Sequence, residues 1–381
     1  MIVEHLSNTI DIKKYLKDIN VDAGGISILG AKAKTHIIKI KDLNVGAANI
    51  LKQDALSIGA DLAVPRGTVL AKTPTVECLL IATSSQLKIL GRKELAQPFG
   101  LKDLAHKLKE IVLVEMPKVV QVMGVINAND DSFYADSRFN AEDAVLKIES
   151  MIKEGASIID IGAVSSAPNA IKISAAEELS RVKPLLEMIQ EKKLYEKVEF
   201  SIDSYEPIVI EEALNAGFKV VNDITGLLND EVCKLCAKYS ATVVIMHMQG
   251  TPQTMQDKPE YTHILDDVYL FLQERMKKAE SYGIQNIILD VGIGFGKTLN
   301  DNLKLIKHLE HFMSLGKPLL VGGSRKSMIA KLDNNKEVNE RLGGTLAIHL
   351  EAVRNGASIL RVHDVEEHSQ AIKLQEALNK V

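Results

Sequence analysis

Polar side chains recur at the ends of short, β-branched apolar runs in the last two thirds of the chain. They are Asn127, Asp160, Asp203, Asn222, Asp223, His247, Asp290, Ser324, Lys326, Arg361 and His363. Even a neutral polar group costs roughly 2–7 kcal/mol when it is buried without a partner, so a set of this size indicates a shared site. Its acids and amides suit a flat, hydrogen-bonding heterocycle, and its cations suit phosphate oxygens. The sequence therefore predicts a site for an uncharged ring joined to an anionic group.

These residues belong to a regular alternation of strand-like runs and longer helical patterns. The runs are Val119–Asn127, Ser157–Val164, Val198–Ser204, Lys219–Thr225, Thr242–Met248, Asn286–Ile293, Pro318–Ser324 and Ser358–His363. Such continuously apolar runs are typical of parallel strands covered by helices on both faces. Eight β-then-α units fit in residues 117–381, close to the roughly 250 residues of a (β/α)8 TIM barrel, where chemistry sits at the carboxyl ends of the strands. We expect an α/β fold of this type, with a doubly wound open sheet as the alternative.

The alternation of strand-like runs and helical patterns begins after Glu115, and the chain before that point has a different mixture of strand and helix patterns. These patterns are the strand-like His36–Ile40 and Val76–Ala82 and the helical Ile10–Ile19, Ala47–Ile58 and Phe99–Val112. They predict a small α/β domain at residues 1–115, followed by the barrel at 116–381. Residues 1–115 carry no cluster of catalytic residue types, so the sequence assigns this domain no role.

The composition excludes several classes of protein. Lys and Arg total 46 against 50 Asp and Glu, and the net charge of −4 offers no polycation for nucleic acid. Three cysteines in 381 residues exclude a disulfide framework and fit a reducing compartment. The first residues show no export signal, and no apolar stretch approaches the roughly 20 residues that cross a bilayer. We expect a soluble, cytoplasmic protein that binds neither nucleic acid nor a membrane.

Eight motifs occur in the order and spacing of one known family. They are Val122–Asn127 with Asp131–Phe133, Ile159–Gly162, Ser201–Ser204, Asn222–Gly226, Met246–Pro252, Leu289–Lys297, Gly323–Ser327 and Arg361–Val365. Across residues 118–378 this series resembles dihydropteroate synthase. The resemblance implies a homodimer that uses Mg²⁺ to condense 6-hydroxymethyl-7,8-dihydropterin diphosphate with 4-aminobenzoate. The products would be 7,8-dihydropteroate, for folate biosynthesis, and pyrophosphate.

The resemblance also implies roles for the matched residues. The dihydropterin would be held by Asp203, Asn222, Asp290 and Lys326, with Met246 and Phe295 packed against its ring. The diphosphate would be bound by Asn127, Arg361 and His363, with Asn127 helping to place Mg²⁺. The 4-aminobenzoate site would be shaped by Phe133, Ser166, Pro168 and Ser324. Catalysis would depend on Lys326, Arg361, His363 and Asp203.

The implied mechanism is dissociative. Pyrophosphate departs with help from Mg²⁺, Arg361 and His363, and leaves a cation delocalised over the pterin methylene. Electrostatic preorganisation around this developing charge does most of the work. No strong general base is required, because the arylamine is already a neutral nucleophile.

Several positions depart from the family's pattern, and two of them bear on activity. Ala167 stands where the family has an arginine, and Val164 stands where it has a glutamate. The loss of a charge-assisted contact costs about 1.5–3 kcal/mol, which favours a catalytically silent pterin-binding homologue or a partner subunit as an alternative. A second alternative is a methyltetrahydrofolate-using methyltransferase of the same fold, although it has no use for the cations of Ser324–Lys326 and Arg361–His363.

Three further features invite a catalytic interpretation but favour a structural one. The segment Gly292–Thr298 resembles a phosphate-binding P-loop, but a P-loop needs glycine five residues before Gly296, and that residue is Val291. Cys233 and Cys236 have redox-motif spacing, but they lie in a helical pattern and are expected to be buried thiols. His247 could ligate a metal, yet its run supplies no partner at ligand spacing, so we expect a structural or pocket-wall role.

Overall fold

The computed structural model describes residues 1–7, 10–127, 137–164, 173–255, 257–334 and 336–379, with the backbone alone for 137–140. The chain forms two compact units, Met1–Glu115 and Met116–Val381. In the described ranges, no helix has the length and apolar character needed to span a membrane.

The first unit is a three-stranded antiparallel sheet packed against helices. Its strands are β1 (Thr35–Asn44), β2 (Asp61–Ala63) and β3 (Thr75–Thr83), in the order β1-β3-β2. Its helices are α1 (Ile12–Asp18), α2 (Ala23–Ala33), α3 (Val45–Ser57), α4 (Ser84–Lys93) and α5 (Leu101–Leu113). Alternate residues of β3 point to opposite faces, so Cys78 and Leu80 are buried while Leu79 and Ile81 are exposed. The predicted elements are present, with α2, α4 and β2 in addition.

The second unit is a closed barrel of eight parallel strands. The strands are β4 (Gln121–Asn127), β5 (Ile158–Gly162), β6 (Glu199–Asp203), β7 (Val220–Asp223), β8 (Thr242–Met246), β9 (Ile287–Asp290), β10 (Leu319–Val321) and β11 (Ile359–Val362). They follow one another around the barrel in chain order, and β11 pairs with β4 to close it. The predicted (β/α)8 architecture is therefore confirmed, and the doubly wound open sheet is wrong.

Helices cover the outer face of the barrel. They are α6 (Ser137–Glu154), α7 (Ala175–Glu191), α8 (Pro207–Asn215), α9 (Asp230–Lys238), α10 (Ile264–Ser281), α11 (Leu299–Lys307), α12 (Ser327–Leu332), α13 (Leu342–Arg354) and α14 (Val365–Leu378). One core cluster draws a buried residue from most of the strands: Met123, Ile158, Val220, Val244, Ile288, Leu320 and Ile359. The strands are covered on both faces, which explains why their sequences are almost continuously apolar.

The register of the strands brings the polar residues together. Asp203 of β6 lies opposite Asn222 of β7, and Met246 of β8 lies opposite Asp290 of β9. Three of these four residues are the last of their strands, and Asn222 is one residue from the end of β7. Because the parallel strands of a barrel all end at the same face, these side chains reach one mouth.

Candidate active site

At the carboxyl ends of the strands, the guanidinium of Arg361 lies between two acids. Its Nε donates a hydrogen bond to Oδ2 of Asp160 and its Nη2 donates to Oδ2 of Asp203, each at 2.6 Å. The same Oδ2 of Asp160 accepts a hydrogen bond from Nδ2 of Asn222 at 3.1 Å. Burial opposes the charge of Arg361, but the two carboxylates outweigh it and raise the pKa of the guanidinium. One charged network therefore joins four strands of the barrel.

Asp203 shares its cation with a second carboxylate. Desolvation raises the pKa of Asp203 to about 7 against the pull of Arg361, and the charges of Asp160 and Glu178 add to the increase. Because Arg361 supplies one positive charge to two acids, the group retains a proton until the pH approaches neutrality. The site can therefore both donate and accept hydrogen bonds near neutral pH, as recognition of a heterocycle requires.

Asp290 and an apolar cluster form the neighbouring part of the mouth. Oδ1 of Asp290 accepts a hydrogen bond from the backbone N–H of Gly292 at 2.7 Å, and burial raises the pKa of this carboxyl group. Nζ of Lys326 lies 4.2 Å from the centroid of the Phe295 ring. Burial, and then the charge of Arg361, lowers the pKa of Lys326 to about 8. The buried members of the cluster are Ile224, Met246, Met255 and Phe295. This combination of apolar faces, an acceptor and a cation suits an aromatic, hydrogen-bonding ring.

The loops that follow β10 and β11 are joined side by side. The backbone N–H of His363 donates to Oγ of Ser324 at 3.3 Å, and the same Oγ lies 2.9 Å from Nδ1 of His363. The hydroxyl of Ser324 can donate to Nδ1, and in that tautomer the ring proton of His363 lies on Nε2. Desolvation, followed by the charges of Arg361 and Arg325, lowers the pKa of His363 to about 4. At neutral pH this imidazole is an uncharged hydrogen-bond donor beside Arg361.

A buried lysine supports the loop after β9. Nζ of Lys297 donates to the backbone oxygens of Phe295 at 2.8 Å and His247 at 3.1 Å, and lies 2.9 Å from Nδ1 of His247. Burial lowers the pKa of Lys297 to about 7 and that of His247 to about 2, so Nδ1 of the neutral imidazole can accept from the ammonium form of the lysine. Gly292 turns beside them at a φ of +68°, and a Cβ there would lie 1.9 Å from the oxygen of His247. His247 thus packs in the pocket wall.

The structure gathers most of the predicted site residues at this mouth. Those in strands β6 to β11 or the loops that follow them are Asp203, Asn222, Met246, Asp290, Phe295, Ser324, Lys326, Arg361 and His363. Asn127 ends β4, and its side chain is exposed. Phe133, Ser166 and Pro168 lie outside the described residues. Cys233 and Cys236 are buried in α9, as predicted.

Two residues of the site receive no role in the sequence-based prediction. Asp160 is completely buried at the centre of the Arg361 network, and its signal in the sequence is a carboxylate inside an apolar run. Lys297 is 3% exposed, and its signal is its place directly after a turn that contains three glycines. Both act through neighbours on other elements, which the spacing of residues does not reveal.

The closed barrel and its polar mouth place the protein among the pterin-binding enzymes, and the family described as pterin binding enzyme matches residues 123–363. A bifunctional dihydropteroate synthase/dihydropteroate reductase of Helicobacter pylori is 41% identical over 380 residues, covering 100% of both chains. The dihydropteroate synthase of Haemophilus influenzae is 43% identical over 263 residues, which are 68% of this chain and 94% of the relative. A Xanthomonas albilineans dihydropteroate synthase structure with 4-aminobenzoic acid superposes with a TM-score of 0.64 at 35% identity, covering 69% and 94% of the two chains. The chain belongs to the dihydropteroate synthase family.

The family match confirms the resemblance that the eight motifs indicate. The relatives favour a synthase over the two alternatives, a catalytically silent homologue and a methyltransferase. The family match begins at residue 123, whereas the Helicobacter relative also matches the first unit of the chain.

Proposed function

We propose that the protein condenses 6-hydroxymethyl-7,8-dihydropterin diphosphate with 4-aminobenzoate to give 7,8-dihydropteroate and pyrophosphate. The observation that carries the proposal is the network in which Arg361 bridges Asp160 and Asp203 beside Asn222. It combines acceptors and an amide for a heterocycle with a cation for phosphate oxygens. Both halves of the substrate thereby find complementary groups at one mouth.

The dihydropterin would lie between the acids and the apolar cluster. Asp290 can accept hydrogen bonds from the amidine edge of the ring, and Asp203 and Asn222 can bond to its other polar atoms. Met246 and Phe295 would cover the ring faces, since both are buried in the cluster beside Asp290. These contacts would hold the ring so that its methylene carbon faces the cations.

Bond making and breaking then need little acid–base chemistry. The bond between the methylene carbon and the diphosphate oxygen breaks, and pyrophosphate leaves with the electron pair. The resulting cation is delocalised over the dihydropterin, the amine lone pair forms the new C–N bond, and the nitrogen releases a proton to water. Arg361 would stabilise the leaving charge, and Nε2–H of the neutral His363 would donate a hydrogen bond to it.

Magnesium fits this mouth as a partner of the diphosphate. In the part of the chain that the structure describes, no group of three or more His, Cys, Asp or Glu side chains could hold a metal ion. Asn127 presents an exposed amide at the end of β4, and Mg²⁺ usually takes one or two protein oxygens together with substrate phosphates. Asn127 would therefore hold the ion, and bound Mg²⁺ would neutralise charge on the pyrophosphate.

The direct test is incubation of the purified protein with the pterin diphosphate, 4-aminobenzoate and Mg²⁺. We expect dihydropteroate and pyrophosphate in equal amounts, and much slower formation of both products by Asp290→Asn at a subsaturating concentration of the pterin diphosphate. Expression should also restore growth to a strain that lacks folate synthesis. A soluble protein that formed neither product would refute the proposal, and methyl transfer from methyltetrahydrofolate would replace it with the methyltransferase alternative.

A second proposed activity is reduction of the dihydropteroate product by the same chain. The full-length match to the bifunctional Helicobacter relative supports it, because that match includes residues 1–115. The reaction would add a hydride to C6 and a proton to N5 of the dihydropterin, with a reduced nicotinamide or flavin as the electron donor. If the full chain reduces dihydropteroate and a variant limited to residues 116–381 does not, the result would support this activity. A full chain that made dihydropteroate but did not reduce it with either electron donor would refute this activity.

We also propose that the protein is a homodimer and resides in the cytoplasm. Leu332 of α12 is 61% exposed and Leu303 of α11 is 40% exposed, which supports burial of these helices against a second copy. Cys78, Cys233 and Cys236 are free thiols, as is usual in a reducing compartment. Light scattering should give twice the monomer mass, which Leu332→Glu should halve. Recovery in the periplasmic fraction would contradict the location.

A further inference from the structure

Two buried histidines lie outside the network of Arg361. His349 of α13 and His368 of α14 are each 1% exposed, and the reaction proposed above assigns neither of them a role. A buried imidazole must find partners for both of its ring nitrogens. The partners of these two histidines form a single directed chain of hydrogen bonds.

The chain begins at a backbone donor, which determines every proton in it. The N–H of Gly323 donates to Nε2 of His349 at 2.9 Å, so this nitrogen carries no proton. Burial lowers the pKa of His349 to about 3, and the neutral ring therefore holds its proton on Nδ1. Nδ1 lies 2.8 Å from Nε2 of His368 and donates to it. His368 is then protonated on Nδ1, which donates to the backbone oxygen of Asp364.

The two ends of this relay are the loops that carry Lys326 and His363. Gly323 immediately precedes Ser324, Arg325 and Lys326, and Asp364 immediately follows His363. The approach at the first end is close, since a Cβ on Gly323 would lie 3.2 Å from Nε2 of His349. The relay thus connects the backbones of the loops after β10 and β11.

A side-chain clamp joins the same two loops. The guanidinium of Arg325 pairs with both carboxylate oxygens of Asp364, and the N–H of Arg325 donates to Oγ1 of Thr345 at 2.9 Å. The side chains of the clamp are partly exposed, whereas the two histidines of the relay are buried. A network with every donor and acceptor matched has one arrangement, so it holds its ends at a defined separation.

We propose that His349 and His368 are positioning residues that hold the loops after β10 and β11 in register, so that Lys326 and His363 converge on the pterin diphosphate, Lys326 at its ring and His363 at its diphosphate. This inference rests on the proposed synthase function for its substrate. The histidines touch no reacting atom and act through the backbones of Gly323 and Asp364. Their effect should therefore fall on the pterin diphosphate and spare the 4-aminobenzoate.

The test compares variants that break the relay with variants that keep it. His349→Leu and His368→Leu remove the ring nitrogens, and a double variant removes both links. His349→Gln keeps one acceptor and one donor on the same side chain. Val353→Ala on α13 and Ile372→Ala on α14 are matched controls, because each removes buried apolar atoms one helical turn from a relay histidine and keeps every hydrogen-bonding atom of the relay.

Steady-state kinetics provide the main measurement. We expect each Leu variant to raise KM for the pterin diphosphate about tenfold and to lower kcat, with KM for 4-aminobenzoate nearly unchanged. His349→Gln should recover most of this loss, and the double variant should be no worse than a single one, because one broken link opens the whole chain. The two Ala controls should lower thermal stability and leave both KM values near those of the parent.

Calorimetric titration with inorganic pyrophosphate separates this inference from the proposed reaction. We expect the parent to bind pyrophosphate and the Leu variants to bind it about tenfold more weakly. A parent that bound pyrophosphate but made no dihydropteroate would refute the synthase function while the titration still decided the role of the relay. Folded Leu variants with parental pyrophosphate affinity would overturn the positioning role, as would Ala controls that reproduced the same weakening.

Discussion

Arg361 and Asp160 lie 201 residues apart in the sequence and form a 2.6 Å hydrogen bond at the mouth of the barrel. Their strands, β11 and β5, do not pair with each other, because each pairs with β4 on opposite sides. The side chains meet across β4 on the inner side of the barrel. The ion pair therefore forms only when β11, β4 and β5 are paired side by side, as they are in the closed barrel.

Removal of Asp160 should destabilise the protein strongly. Asp160→Ala leaves Arg361 with one carboxylate and takes the acceptor from Asn222, and breaking a buried pair costs about 3–5 kcal/mol. Urea unfolding measures the loss. The control is Glu211→Ala, which breaks an exposed 3.0 Å pair with Lys238 and should change the stability little, because solvent screens exposed ion pairs. Equal losses for the two variants would contradict a central role for Asp160.

Pterin binding should require Asp290 and Lys326. Asp290→Asn removes the charge of the buried acceptor, and Lys326→Ala removes the cation that lies over the Phe295 ring. We expect calorimetry to show at least about a tenfold loss of affinity for the pterin diphosphate in each variant. Circular dichroism should confirm that both are folded. Parental affinity in Asp290→Asn would mean that the pterin binds elsewhere.

Asp203 should make the parent less stable as the pH rises through the weakly acidic range. The pKa of Asp203 is raised from 3.8 to about 7 in the folded state, so between these values the folded chain holds a proton that the unfolded chain has lost. The free energy of unfolding therefore falls with rising pH in this window and levels off above it. The free energy of unfolding of the parent minus that of Asp203→Asn should therefore fall between about pH 5 and about pH 7. If this difference rose with pH instead, the pKa of Asp203 would be lowered in the folded state rather than raised.

Lys297 should have the opposite effect in the alkaline range. Its pKa falls from 10.5 to about 7 in the folded state, so above pH 7 the unfolded chain holds a proton that the folded chain has lost. Stability contributed by this group then rises with pH, by up to about 1.4 kcal/mol per pH unit. The free energy of unfolding of the parent minus that of Lys297→Met, measured in urea, should rise between about pH 7.5 and about pH 9. Parallel pH profiles would show that Lys297 titrates normally.

The proposed magnesium role of Asn127 predicts a change in the metal requirement. Asn127→Ala should raise the Mg²⁺ concentration for half-maximal activity about tenfold, because one protein oxygen is lost from the ion. Asn127→Asp keeps an oxygen and adds charge, so it should need no more Mg²⁺ than the parent. An unchanged requirement in Asn127→Ala would exclude this side chain as a metal ligand.

The sequence by itself determined the barrel, the polar character of its mouth and the family. Strands buried on both faces must be apolar along their whole length, so an acid such as Asp203 or Asp290 inside such a run is conspicuous. The eight runs also alternate with helical patterns, and this alternation is a local property that the chain displays before it folds. Resemblance of the motifs then supplied roles that spacing alone does not contain.

Only the tertiary structure decided which of these groups touch. The resemblance implies that Arg361 binds the diphosphate, and the folded chain adds that its guanidinium lies between Asp160 and Asp203. His349 and His368 look like ordinary helical residues until α13 and α14 bring their rings within 2.8 Å of each other. Contacts of this kind depend on how strands and helices are arranged around the barrel, and residues far apart in sequence become neighbours through packing that no local pattern encodes.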